Sequence, residues 1–111
     1  MGYRCNANCE CGFKQDGITI GAGMIDFERQ SQFPHYCEDC GLVEPNVQEQ
    51  EIACPSCKSK LIIAYGNEMV SKQSELHDSI QWGKYKMPCN GNICPKCKEF
   101  SLQFRIAKLF D

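Results

Sequence analysis

The chain has 111 residues and no apolar run approaching the length of about 18 that a bilayer-spanning helix needs, and it carries no Asn-x-Ser/Thr acceptor. The opening MGYRC is not followed by an apolar stretch, so neither secretory routing nor membrane association is expected. Asn6 stands where an N-myristoylation signal carries Ser or Thr. Histidine is scarce: there are two, and neither lies in a His-Glu-x-x-His or a His-x-Glu with Cys-x-x-Cys pattern, so zinc catalysis of those kinds has no motif to rest on. A strong charge of one sign is also missing. The formal net charge is −2, which argues against a general polyanion binder. Large aliphatic side chains are few as well, because the 42% apolar fraction includes ten cysteines. A chain this short with so thin an apolar pool makes a marginal core by itself.

What the chain does have is sulfur in close pairs. Cys37/Cys40 and Cys54/Cys57 form two Cys-x-x-Cys turns within YCEDCGLVEPNVQEQEIACPSCKSKLIIAY, residues 36–65. Such a turn aims both thiolates the same way, and four soft ligands on two turns are what tetrahedral zinc requires. Disulfide frameworks mostly join distant cysteines, whereas clustered thiols point to a metal in a reducing cytoplasm. Cys94-Pro95-Lys96-Cys97 is a third knuckle. A fourth lies in YRCNANCECGF, where the Cys11-Gly12 step repeats Cys40-Gly41. Cys11 is therefore the second ligand there, with Cys9 preferred over Cys5 as its partner because a short spacing keeps both sulfurs on one turn.

These knuckles predict a small, mainly β fold, a zinc ribbon with β-hairpins on tetracysteine metal knuckles, built as one domain over 1–111. The economical pairing nests an inner ribbon, 36–65, inside an outer site formed by 3–13 with 88–106. Two zinc ions would then be held by Cys37, Cys40, Cys54 and Cys57, and by Cys9, Cys11, Cys94 and Cys97. A sequential pairing, 9/11 with 37/40 and 54/57 with 94/97, is the rival. Cys5 and Cys89 are spare thiols, either of which could replace a ligand of the outer site, and His35 and His77 read as packing or surface histidines. Structural zinc sites in finger peptides show binding free energies of ~10–16 kcal/mol near neutral pH, so metal binding is expected to be coupled to folding.

Between the knuckles, GITIGAGMIDF suggests two short strands about Gly21-Ala22-Gly23. No Gly-Lys-Ser/Thr follows and a third fingerprint glycine would fall on Asp26, so the glycines mark a turn and not a phosphate loop. Residues 28–35 read as a polar connection. Leu61 to Tyr65 is a β-prone run ending at the Gly66-Asn67 turn signal. Met69, Gln73, Leu76 and Ile80 fall on one side of a short helix over 68–80. Trp82 to Met87 suggests a strand with a basic face, and Asn90-Gly91 a hairpin turn. Phe100, Leu102, Phe104 and Ile106 alternate along a final strand and should supply much of the core.

The order of these motifs resembles a family of small bacterial zinc-ribbon proteins: Tyr3-Arg4, Cys11-Gly12-Phe13, the Gly21/Gly23 turn, YCEDCG at 36–41, CPSC at 54–57, CPKC at 94–97 and the ending Phe110-Asp111. The pattern departs at the irregular N-terminal pair and at Lys58 and Lys98, where glycine is usual. The resemblance implies zinc binding and brings no activity with it.

The expected function is a non-enzymatic binding module for a protein or nucleic-acid partner. Lys84, Tyr85, Lys86, Lys96, Lys98, Phe100 and Arg105 mix cations with aromatics as a single-strand surface does, although Phe100 in the core and solvated lysines account for the same residues. YCEDCG and CPSC also resemble rubredoxin knuckles, which makes an iron-binding electron-transfer protein the alternative, with the pairs closer together than rubredoxins place them. No small-molecule substrate is indicated.

Overall fold

The computed structural model describes residues 2–21, 31–72, 79–82 and 84–110. Eight strands and no helix are present among them: β1 Gly2–Asn8, β2 Lys14–Gly21, β3 His35–Cys37, β4 Gly41–Val43, β5 Ile62–Ala64, β6 Ser79–Trp82, β7 Tyr85–Pro88 and β8 Gln103–Phe110. They make antiparallel sheets in the orders β2-β1-β8, β4-β3-β5 and β6-β7. No helix among the described residues is long and apolar enough to cross a membrane.

The first sheet joins the two ends of the chain. On β1 the alternation turns Cys5 and Ala7 inward; Cys5 lies opposite Ile18 of β2 and Tyr3 opposite Ile20, and Cys5, Ala7, Ile18 and Ile20 are fully buried. The pairing runs from Cys5↔Ile18 to Ala7↔Gln15, so β2 carries one extra residue. Gly17 takes the positive φ of 71° at this bulge, and its N–H donates to Asn6 Oδ1 at 3.1 Å. On the other side β1 meets β8 through Ala7↔Phe104 and Cys5↔Ile106.

Leu102 and Phe104 are fully buried, as their alternation predicts, but Ile106 is 47% exposed. Residues 105–108 of this edge strand are all exposed, and its pairing with β1 shifts register between Cys5↔Ile106 and Arg4↔Lys108. Phe100 precedes the strand and is half-buried, with Lys72 Nζ 5.3 Å above its ring.

In the second sheet, Cys37 pairs with Gly41, so the CEDC turn is itself the hairpin connection. Ile62, Ile63 and Ala64 pair back onto β3, while Leu61 stays out in solvent. The stretch expected as a polar connection is apolar at its described end: Phe33 is fully buried and stacks on Tyr85 at 4.8 Å. The strand expected after Gly23 lies outside the described residues. One buried cluster collects side chains from all three sheets, among them Ile18, Leu42, Tyr65, Ile80, Met87 and Phe104.

The helix expected over 68–80 is absent at both described ends. Residues 68–70 turn, Ser71 bridges to Asn92, and Ser79 and Ile80 belong to β6; 73–78 lie outside the described residues. Val70 and the serines are weak helix formers; the Ser71 N–H still closes one turn onto the Asn67 carbonyl at 2.9 Å, but the Val70 carbonyl accepts from the Ile93 N–H at 2.8 Å and Ile80 pairs with Met87 instead. Trp82 to Met87 is likewise not one strand, since Trp82 pairs with Tyr85 across a two-residue connection. Gly66, with φ of 107°, passes so close to β7 that a Cβ there would stand 1.9 Å from the Lys86 carbonyl oxygen. Only glycine fits. Asn90-Gly91 does not turn one strand directly into the next. The Gly91 carbonyl accepts from the Lys72 N–H at 2.8 Å, and the chain delivers Asn92 between Ser71 and Leu102.

Candidate metal centres

Four knuckles converge in two clusters. The sulfurs of Cys9, Cys11, Cys94 and Cys97 all lie within 4.8 Å of one another, and so do those of Cys37, Cys40, Cys54 and Cys57. The clusters are nested along the chain. Cys9–Cys97, Cys11–Cys94 and Cys37–Cys57 each stand 3.7 Å apart, sulfur to sulfur. A disulfide needs about 2.05 Å, whereas a tetrahedron of thiolates about 2.3 Å from a central ion has edges of about 3.8 Å. The spacing fits an ion at the centre of each set. Four thiolates suit zinc and iron alike.

Backbone hydrogen bonds explain how each knuckle aims its pair. At Cys54 and at Cys94 the carbonyl accepts from the N–H four residues on, Lys58 and Lys98, both at 2.9 Å. The N–H of the same cysteine donates five residues on, to the Ser59 and Glu99 carbonyls, both at 2.8 Å. The Lys96 N–H also points at Cys94 Sγ, 3.4 Å away. The N-terminal pair has one fewer residue between its cysteines and closes one residue tighter, with Gly12 N–H to the Cys9 carbonyl at 3.0 Å. That tighter turn resolves its irregular spacing in favour of Cys9.

Each knuckle ends on a residue with positive φ directly after its second cysteine: Gly12 at 104°, Gly41 at 89°, Lys58 at 64° and Lys98 at 62°. Lys58 and Lys98, where the other two knuckles have glycine, therefore occupy a backbone region costing about 1 kcal/mol for a residue with a Cβ. Lys58→Gly is expected to raise the melting temperature of the metal-loaded protein by about 2–4 °C, part of the relieved strain being offset by glycine's greater unfolded-state entropy. Calorimetry checks this; an unchanged or lower midpoint contradicts it.

The centres differ in their surroundings. Cys37 and Cys54 of the inner set are buried while Cys40 and Cys57 are exposed; in the outer set Cys9 and Cys94 are buried and only Cys11 is exposed. Ser101 Oγ lies 3.0 Å from Cys9 Sγ and 3.9 Å from Cys97 Sγ, so its hydroxyl serves the outer set. Burial pushes the Cys9 thiol up, but the Cys11 N–H, Ser101 and neighbouring thiols outweigh it and bring Cys9 down to about 7. Burial likewise opposes ionisation of Cys54, and the N–H groups of Cys57 and Ser56 bring it down to about 7. Ser101 carried no signal in the sequence, because nothing marks a serine four residues past a knuckle as a sulfur partner.

The spare groups stay out of both clusters. Cys5 is fully buried beneath the first sheet, and burial, with Glu44 and Cys89 nearby, pushes its thiol up to about 12. Cys89 is half-buried, and its carbonyl accepts from the Phe104 N–H at 2.8 Å. His35 is buried with Nδ1 2.9 Å from the Phe33 carbonyl oxygen and its ring edge-on to Tyr85, a packing role. His77 lies outside the described residues.

The two centres touch through residues one step from their ligands. A Cβ on Gly41 would stand 3.1 Å from Pro95 Cβ, so the knuckle tips are packed on each other. Lys98 Nζ donates to the Tyr36 hydroxyl at 2.9 Å and sits 5.2 Å over its ring. Filling one centre should therefore help to order the other. Allosteric coupling typically amounts to at least about fivefold in affinity. The expected result is that dismantling the inner centre by Cys40→Ser/Cys57→Ser weakens metal binding at the outer one by such a factor, and that Lys98→Met removes most of the difference. Lys58→Met, at the matching position of the inner knuckle, is the control; equal effects of the two lysine variants in competition with a chromogenic chelator would contradict the assignment. The chain matches no protein-family model, no curated protein and no solved structure.

Proposed function

We propose that the chain is a cytoplasmic, non-enzymatic zinc-ribbon module, related in its order of knuckles to small bacterial zinc-ribbon proteins, that presents a rigid surface to a protein partner. The observation carrying this reading is that four sulfurs close each cluster. A catalytic zinc keeps a position open for water, and here both tetrahedra are complete.

A protein partner is favoured over a nucleic-acid strand by what the aromatic rings already do. Tyr85 stacks on Phe33 with Lys84 Nζ 5.5 Å from its ring, Phe100 lies under Lys72, and Tyr36 lies under Lys98. Rings engaged in this way offer bases a poor stacking platform. Native mass spectrometry with metal analysis tests the proposal. Two zinc ions per chain in a colourless protein are expected. Bound iron with visible absorbance would transfer the chain to the rubredoxin-like, electron-transfer reading, and a metal-free chain with oxidised thiols would remove both.

A further inference from the structure

We propose that the groove between the two metal centres is the docking site for an extended segment of a protein partner, one that sets an apolar side chain beside arginine or lysine; this names the partner class for the binding module proposed above and rests on that reading. The groove measures about 290 Å³ and is walled by the knuckle tips themselves. Glu38 and Asp39 are the two residues between Cys37 and Cys40, and Pro95 and Lys96 are the two between Cys94 and Cys97. Phe13, two residues past Cys11, joins Leu42 and Pro95 to give the apolar part of the lining.

Volume and charge together select the occupant. Ligand pockets run from about 300 to 1,000 Å³, so this groove, at the bottom of that range, has room for a side chain or two of a passing strand. Its charged lining is two carboxylates, Glu38 and Asp39, against the single ammonium of Lys96. Cys40, an exposed ligand, also lines it. Four thiolates around a divalent ion leave a filled centre with two net negative charges, so loading makes both walls more anionic. A cation in the groove meets opposite charge, and a phosphate chain meets like charge. The packing of Gly41 on Pro95 sets the distance between the walls, so the groove takes its shape from both knuckles.

The test is selection from a displayed library of random octapeptides on the full, metal-loaded chain, followed by fluorescence anisotropy with the selected peptide. Enrichment of arginine or lysine next to an apolar residue is expected, with binding weakened at least tenfold by Glu38→Lys/Asp39→Lys and at least fivefold when the apolar residue of the peptide is replaced by serine. Labelled oligo(dT) and the peptide with glutamate in place of its cations should not bind. Failure to enrich any peptide, enrichment of acidic ones, binding indifferent to the double reversal, or preferential binding of oligo(dT) overturns the proposal. Metal content measured on the same samples separates the two levels: two metals per chain without peptide binding sinks the docking site alone, and a metal-free folded chain sinks the module reading with it.

Discussion

Excess chelator at neutral pH collapses the amide dispersion of the metal-loaded protein, and added zinc restores it. This is the largest effect expected of any single manipulation, because the sulfurs are not ornaments on an independent core. In the inner ribbon the buried cluster consists of Cys37, Cys54 and Val43, with Ile62 packed against it. Without the metal, one valine and one isoleucine would be left to fill that face of a sheet of three-residue strands, whose other face gives Leu42 to the larger cluster. The larger cluster counts Cys9 and Cys94 among its members, so the outer centre too is part of what fills the interior. Domains are commonly stable by about 5–15 kcal/mol, while a structural zinc site is worth ~10–16 kcal/mol near neutral pH. Loss of two such sites exceeds what the remaining apolar packing can supply. Heteronuclear NMR before and after chelation is the measurement. An apo chain that keeps its dispersed spectrum would show that the sheets fold without metal.

The features legible in the sequence are those fixed by covalent spacing. Two sulfurs on a short turn must point together, so the knuckles follow from where the cysteines fall, with nesting the economical pairing and a sequential one still open, and Gly66-Asn67 is marked as a turn by the same local logic. Longer-range outcomes were not legible. The apparent helical face from Met69 to Ile80 spans too few turns to outweigh strand partners contributed by Met87 and Asn92, which are distant or unmarked in the sequence. The alternation through Ile106 predicts a core position correctly only as far as the core extends over β8, a boundary set by the whole sheet. The mixed cations and aromatics near the C-terminus resemble a strand-binding surface until Phe33, Lys72 and Tyr36 are brought beside them. Asn92 is the clearest omission, because its partners lie at Ser71, Pro88 and Leu102, at no spacing that a periodicity could reveal.

Asn92→Ala is accordingly expected to cost about 3–5 kcal/mol, the largest effect of any substitution outside the ligands and Gly66. Asn92 is fully buried. Its Oδ1 accepts from Ser71 Oγ at 2.6 Å, and its Nδ2 donates to the Pro88 carbonyl at 2.8 Å and to that of Leu102 at 3.4 Å. Ser71 Oγ in turn accepts from the Gly66 N–H at 2.9 Å. The side chain thereby ties the exit of the inner ribbon, the end of β7 and the entry to the outer knuckle, two residues before Cys94. Alanine takes away the acceptor of a buried hydroxyl and the donor to a buried carbonyl, and it leaves a cavity. Each buried polar group deprived of its partner costs about 1–3 kcal/mol. Asn92→Asp keeps the acceptor but loses the donor and adds a buried charge, so it should be no milder. Asn8→Ala, at an exposed position of β1, is the control and should change stability by less than about 0.5 kcal/mol. Denaturant unfolding of the metal-loaded variants decides the matter. A cost below about 1 kcal/mol for Asn92→Ala would mean that the buried network follows from the fold and does not hold it. A full cost, accompanied by weaker metal binding at Cys94 and Cys97, would place Asn92 among the residues that position the outer centre.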